Sequence, residues 1–235
     1  MDTIEITSLL VDGWRLDFPS EKQIAALASA WDDETNHQVC FLRNSDFHAL
    51  HRVSEYASMV ASADLVLAIS LSLSKIAAEK IGATRTEGGE KNRRSIRVGE
   101  KRREYLSFFE PLDEDKQLFR EYAPLKTLAL FLSALEQRRG SVFLVGGNLP
   151  TLQKAEANVR STFPELRVVG RAAGDYREED ETAIMRALQK STPDMIIVGS
   201  PVKDGELWIP RHMRYTKAGI FLYEADIMEI LAGKR

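Results

Sequence analysis

A chain of 235 residues with 44% apolar side chains is long enough to bury a substantial core, which excludes disorder as its default state. The formal net charge of −3 gives no bulk attraction to nucleic acid or to an acidic membrane surface, so nucleic acid is a disfavoured partner and any anion site must be local. Cys40 is the sole cysteine, which excludes an intramolecular disulfide and a cysteine metal cluster and points to a reducing, cytoplasmic compartment. No uninterrupted apolar stretch approaches the ~20 residues of a membrane span, and the first ten residues, with Asp2 and Glu5, lack the basic start of a secretory signal.

In chain order, Ile4 to Val11 reads as a short β-prone strand, and Ser20-Glu21-Lys22 opens a helix carrying Ile24, Leu27 and Trp31. Val39 to Leu42 is a second strand. Asn44, Ser45 and Asp46 then supply capping chemistry for one helix bearing Phe47, Leu50, Val53 and Tyr56. Leu65 to Ile69 is a continuous apolar strand of the kind buried on both faces of a parallel sheet, and Ser72 to Ile81 continues as a helix. Three strand–helix units are expected in residues 1–82.

The pattern breaks after Gly82. Four glycines (82, 88, 89 and 99) and seven basic residues between Lys91 and Arg103, against the single acid Glu100, read as a flexible basic insertion over 83–117. Helical periodicity resumes with Leu118, Phe119 and Tyr122, and Pro124 starts a helix with Leu128, Leu132 and Leu135. Strands are expected at Val142–Val145, Leu166–Val169, Met195–Val198 and Gly219–Tyr223. Helices are expected at Pro150–Val159, at Glu178–Leu188 and up to Leu231. Strands alternating with helices predict a single α/β domain over 1–235: a Rossmann-like parallel sheet covered by helices on both faces, with a basic insertion.

In such a sheet the ligand site lies beyond the carboxyl ends of the strands. Gly146-Gly147 after Val145 permits close backbone approach to an anion at a helix amino end, although two glycines after a strand also make an ordinary turn. The stretch from Gly199 to Trp208 reads as a loop mixing permissive backbone, Lys203, Asp204 and Glu206 with an indole. It suits a sugar or nucleotide, or else a core-anchoring Trp208 among solvated charges. His37, His48, His51 and His212 are too dispersed for a metal motif and read as surface histidines; no metal and no cofactor is expected. The nucleophile elbow, the Walker A loop and the dinucleotide fingerprint are all missing.

Val142-Phe143-Leu144-Val145-Gly146-Gly147, then Phe163-Pro164-Glu165-Leu166, Val168-Val169-Gly170, Gly174, Asp194, Val198-Gly199, Glu206, Trp208-Ile209 and Leu231-Ala232-Gly233 resemble, in order and spacing, the WecG/TagA/CpsF glycosyltransferases. The resemblance is clear over 141–235. It is weaker over 4–82, where Asn44 matches an asparagine after the second strand and 63–67 matches the third strand. It implies transfer of an N-acetylmannosamine-type sugar from a UDP donor to a polyprenyl-linked acceptor, with an aspartate as base. Ile69 and Ser70 stand where the family has Asp-Gly, Leu42 where it has threonine, and Gly205 where its P-x-Q-E-x-W stretch has glutamine. The resemblance leads to the expectation that the arginine-bearing appendage following Leu-Ala-Gly in the family is without a counterpart after Lys234-Arg235.

The resemblance therefore implies one of two things. The first is a degenerate, non-catalytic binding or scaffolding module that retains UDP-sugar binding. The second is an active divergent enzyme, with Asn44, Gly146, Gly147, Gly199, Glu206 and Trp208 about the donor and Arg93, Arg94 and Arg97 at its diphosphate. Asp64, Asp175 and Glu206 are the carboxylates able to replace the base, although Asp64 precedes its strand. Self-association or a protein partner is expected only because family members self-associate.

Overall fold

The computed structural model describes residues 2–31, 35–69, 93–98, 122–216 and 219–234. Six strands form an all-parallel sheet: β3 (Asn36–Leu42), β4 (Leu65–Ala68), β6 (Ser141–Val145), β7 (Arg167–Ala172), β8 (Met195–Val198) and β9 (Gly219–Tyr223), in the order β4-β3-β9-β8-β6-β7. Their apolar sequences follow from burial on both faces. Val142, Leu144, Met195, Ile197, Ile220 and Leu222 enter one core, while the alternating Phe143, Val145, Ile196, Val198 and Phe221 enter the other. The first core is shared with α1 (Glu21–Ala30), α4 (Pro124–Gln137), α5 (Leu149–Thr162) and α8 (Ile227–Leu231). The second is shared with α6 (Glu178–Ser191) and α7 (Gly205–His212) through Leu188, Trp208 and Ile209. The Rossmann-like sheet covered on both faces is thus the architecture of the chain.

Helix starts follow local chemistry. At α1 the Ser20 hydroxyl accepts from the Gln23 N–H at 3.2 Å and the Gln23 side chain accepts from the Ser20 N–H at 2.7 Å, a reciprocal capping box. Pro124 opens α4, where a missing N–H costs nothing. The single helix expected from Phe47 to Tyr56 is two: α2 (Asp46–Leu50) and α3 (Ser54–Ser62). They are separated by an extended Val53 whose side chain is exposed rather than core-facing.

Three further expectations are corrected. The first strand does not join the parallel sheet: β1 (Asp2–Val11) folds back antiparallel on β2 (Trp14–Phe18), a strand the periodicity missed, through Asp12 and Gly13 at φ 50° and 84°. Within the stretch expected as a flexible insertion, Arg93–Val98 is a strand, β5, paired antiparallel with β1 in a three-stranded sheet of order β2-β1-β5. The stretch after Val198 is not a loop throughout, because α7 forms in it despite Pro210, held by the buried Trp208 and Ile209. The helix expected at Ser72–Ile81 lies outside the described residues, as do Leu118 and Phe119. Tyr122 is buried and donates its hydroxyl to the Pro19 carbonyl at 2.9 Å.

Asp17 joins the two sheets. It is fully buried, and its carboxylate accepts from the Ser8 hydroxyl at 2.6 Å, Arg15 Nε at 3.2 Å and the Val66 N–H of β4 at 2.8 Å. In D17N an amide must face donors, and the loss of this charge-assisted set costs about 3 kcal/mol. For a chain of this size the melting midpoint should then fall by roughly 6–12 °C. An unchanged melt would show that the two sheets are held without it.

Candidate functional site

Carboxyl-edge loops define where a ligand meets this sheet, and here their main chains bond to one another. Gly146 N–H donates to the Ala172 carbonyl at 3.0 Å, Gly147 N–H to Ser200 at 2.7 Å, Gly199 N–H to Val145 at 2.8 Å, and Ser200 N–H to Ala225 at 2.9 Å. Gly146 sits at φ 140°, and a Cβ on it would lie 2.5 Å from the Gly199 carbonyl oxygen. The close approach read from Gly146-Gly147 is therefore made to Gly199, and both amides are already donated inside the fold. At the α5 amino end, Asn148 accepts from the Thr151 N–H at 3.0 Å and Lys234 Nζ donates to the Thr151 hydroxyl at 2.6 Å.

An open cleft of about 370 Å³, solvent at its mouth included, lies beside this edge where β3 and β9 run together. Its walls come from Tyr56 and Met59 of α3, from Arg43 just past β3, from Tyr223 and Glu224 at the end of β9, and from Glu206 in the first turn of α7. Arg211 holds α3 to α7: its guanidinium makes a forked contact to Glu55 at 2.8 and 2.7 Å and donates to Asp204 at 2.7 Å. The floor is charged. Glu224 is 3% exposed; its carboxylate accepts from Arg43 Nη2 and, at 2.8 Å, from the Asp226 N–H, so the buried charge has fixed donors.

Glu206 stands exposed at the rim, yet its carboxyl is pushed above the ordinary range. Partial desolvation is the main cause, with the Asp46 and Glu224 carboxylates adding to it and Arg43 opposing. Cys40 is no nucleophile, because burial pushes its thiol up to about 12 and leaves no thiolate at neutral pH.

Of the residues singled out from sequence, Gly146, Gly147 and Gly199 meet in one knot of backbone, and Glu206 lines the cleft. Asn44 is exposed in the turn after β3. Trp208 is 1% exposed; it donates its indole N–H to the Tyr176 hydroxyl at 2.8 Å and stacks on His212 at 4.5 Å, so its ring serves the core beneath α7. Arg93, Arg94 and Arg97 lie on β5, opposite Thr7, Ile6 and Thr3 of β1, in the antiparallel sheet. Ile69 follows β4 at the carboxyl edge, its N–H donated to the Leu42 carbonyl at 3.0 Å and its side chain against the apolar core. Asp64 lies at the opposite edge, accepting from the Gln38 N–H at 2.9 Å. His37 is not a surface residue: it is buried and stacked on Trp31 at 4.6 Å.

Sequence reasoning missed Arg43, Tyr223 and Glu224. A signal existed, because a charged residue directly past the apolar end of a strand falls at the carboxyl edge, and both Arg43 and Glu224 do so.

Fold and cleft define a Rossmann-like α/β protein with an open depression at the carboxyl edge of its sheet. A family model described as "Glycosyl transferase WecG/TagA/CpsF family" matches residues 115–235, more than half of the chain, and the chain belongs to that family. No curated protein matches the chain.

Two substitutions probe this edge. G146A places a Cβ against the Gly199 carbonyl at a backbone angle unsuited to alanine, and should destabilise by about 3 kcal/mol or more in urea unfolding; a wild-type midpoint would contradict the packing. For Glu206, a raised carboxyl favours the fold while protonated, and that contribution is lost as pH rises through its folded-state value. E206Q should therefore melt about 1–2 °C above wild type at neutral pH, a small gain because the group is exposed. The gain should vanish below the ordinary carboxylate range, and one that grows on acidification would reverse the sign.

Proposed function

We propose that this chain is a nucleotide-sugar-binding module of the WecG/TagA/CpsF fold, acting in the cytoplasm, that holds a UDP-sugar at the carboxyl edge of its sheet without transferring the sugar. The observation that carries this reading is Ile69. The resemblance implies an aspartate at this position as the acceptor-deprotonating base, and an isoleucine packed on the core takes no proton. Asp64 supports the same conclusion, since it sits at the wrong edge and is occupied by the β3 main chain. The cleft beside Ile69's neighbour strand supports retained binding, because its mixed aromatic and charged lining suits a small polar ligand. A protein partner or a second copy would then read the bound state.

A second reading keeps the enzyme. It is favoured by Glu206, a carboxyl in the cleft beside Arg43, whose raised proton affinity suits a base better than an ordinary carboxylate does. In this reading an N-acetylhexosamine passes from UDP to an acceptor hydroxyl whose proton goes to Glu206.

Calorimetric titration with UDP and UDP-N-acetylhexosamines, followed by a UDP-release assay with a polyprenyl-linked acceptor, separates them. The binding reading expects saturable heat and no UDP release above the rate without protein. Release abolished by E206Q would replace it with the second reading. No heat with any of the nucleotides would overturn both.

A further inference from the structure

At the cleft wall, Tyr223 occupies the volume beside Gly205. Gly205 opens α7, and a Cβ built on it would lie 2.5 Å from the Tyr223 hydroxyl oxygen and 2.6 and 2.7 Å from ring atoms Cε2 and Cζ. Real Cβ atoms do not approach that closely, so the Tyr223 ring fills the volume that any side chain at 205 would need. The glutamine found here in the resembling family cannot enter unless this ring leaves. Tyr223 is half-buried at the end of β9, on the cleft wall, and its hydroxyl shares a side-chain hydrogen bond with Ser200.

Charge around that hydroxyl narrows what can bind. Among the described residues that act on Glu206, Arg43 supplies the one guanidinium against the carboxyl groups of Asp46 and Glu224, and it is already paired with Glu224. Among the described residues, a phosphate placed here would meet the Glu206, Asp46 and Glu224 carboxylates with Arg43, already paired to Glu224, as the one cation acting on them, and like charges at contact range repel strongly in a partly desolvated site. An uncharged ring with several hydroxyls meets suitable partners instead. Glu206 accepts, the Tyr223 hydroxyl donates or accepts, the remaining Arg43 N–H groups donate, and Met59 and Tyr56 supply apolar surface.

We propose that Tyr223, seated in the space left by Gly205, is the specificity-determining residue of this open cleft, which favours an uncharged hydroxyl-bearing ring over phosphate. The proposal rests on the binding reading only in taking this cleft as the ligand site. It assigns the sugar to the cleft and leaves the diphosphate outside it.

The test uses the full chain and two probes without a nucleotide: free N-acetylmannosamine observed by saturation-transfer NMR, and inorganic pyrophosphate as competitor. The expected result is transfer to the sugar ring that a ten-fold excess of pyrophosphate does not displace. Y223F, which keeps the ring and the fold, should weaken the sugar by about five-fold through loss of one hydrogen bond. G205Q, whose side chain must evict the ring, should abolish the signal, and its circular dichroism checks that it has folded. No transfer to the sugar, displacement by pyrophosphate, or an unchanged Y223F would overturn the proposal. Failures are separable. Sugar transfer with no heat from UDP or UDP-sugars sinks the binding reading and leaves Tyr223 standing, whereas UDP-sugar binding with equal affinity in wild type and Y223F does the reverse.

Discussion

Beyond the ends of β6, β7, β8 and β9, the connecting loops are tied to one another through their main chains before any side chain contributes. The constraint has its tightest point where Gly146 lies against the Gly199 carbonyl with no room for a Cβ. Parallel strands leave their carboxyl ends as a row of loops, and a row of independent loops would be soft. Here each loop donates to its neighbour, from Gly146 to Ala172, Gly147 to Ser200 and Ser200 to Ala225. The result is a rigid rim. It fixes where β9 hands over to Glu224, and Glu224 in turn fixes Arg43 across the sheet.

That rigidity changes what the glycines are for. A Gly-Gly turn at a strand end suggests donors waiting for a phosphate, but donors already committed to Ala172 and Ser200 serve the fold. The chemically adaptable part of the edge lies one strand pair away, between β3 and β9, where side chains rather than amides line the space. An isoleucine at position 69 packed on the core and a tyrosine filling the volume beside Gly205 both shape what this edge presents.

Much of the parallel half was legible because its strands are buried on both sides. Met195-Ile196-Ile197-Val198 has no polar residue to place, and such a run flanked by helices has few other homes. The antiparallel hairpin was legible in principle, since Asp12-Gly13 is a hairpin-turn signal, but an apolar run followed by a helix also fits a strand–helix unit. Helix α7 was hidden by Gly205 and Pro210, two breakers that burial of Trp208 and Ile209 overrides. In the site, Glu206 could be named through the resemblance. The Arg43–Glu224 pair could not, because its partners are 181 residues apart and only the crossover that lays β9 beside β3 brings them together. The Tyr223–Gly205 fit is likewise a matter of tertiary volume that no local pattern encodes.

The central claim is that the β3–β9 cleft is the place where this protein meets its ligand. Amide hydrogen exchange with and without a saturating UDP-N-acetylhexosamine tests it most directly, since a ligand slows the opening of the backbone it contacts. The account predicts added protection concentrated at residues 43–46, 204–207 and 223–226, with little change at 146–151. Protection confined to 146–151 and 199–201, or spread evenly along the chain, would contradict it.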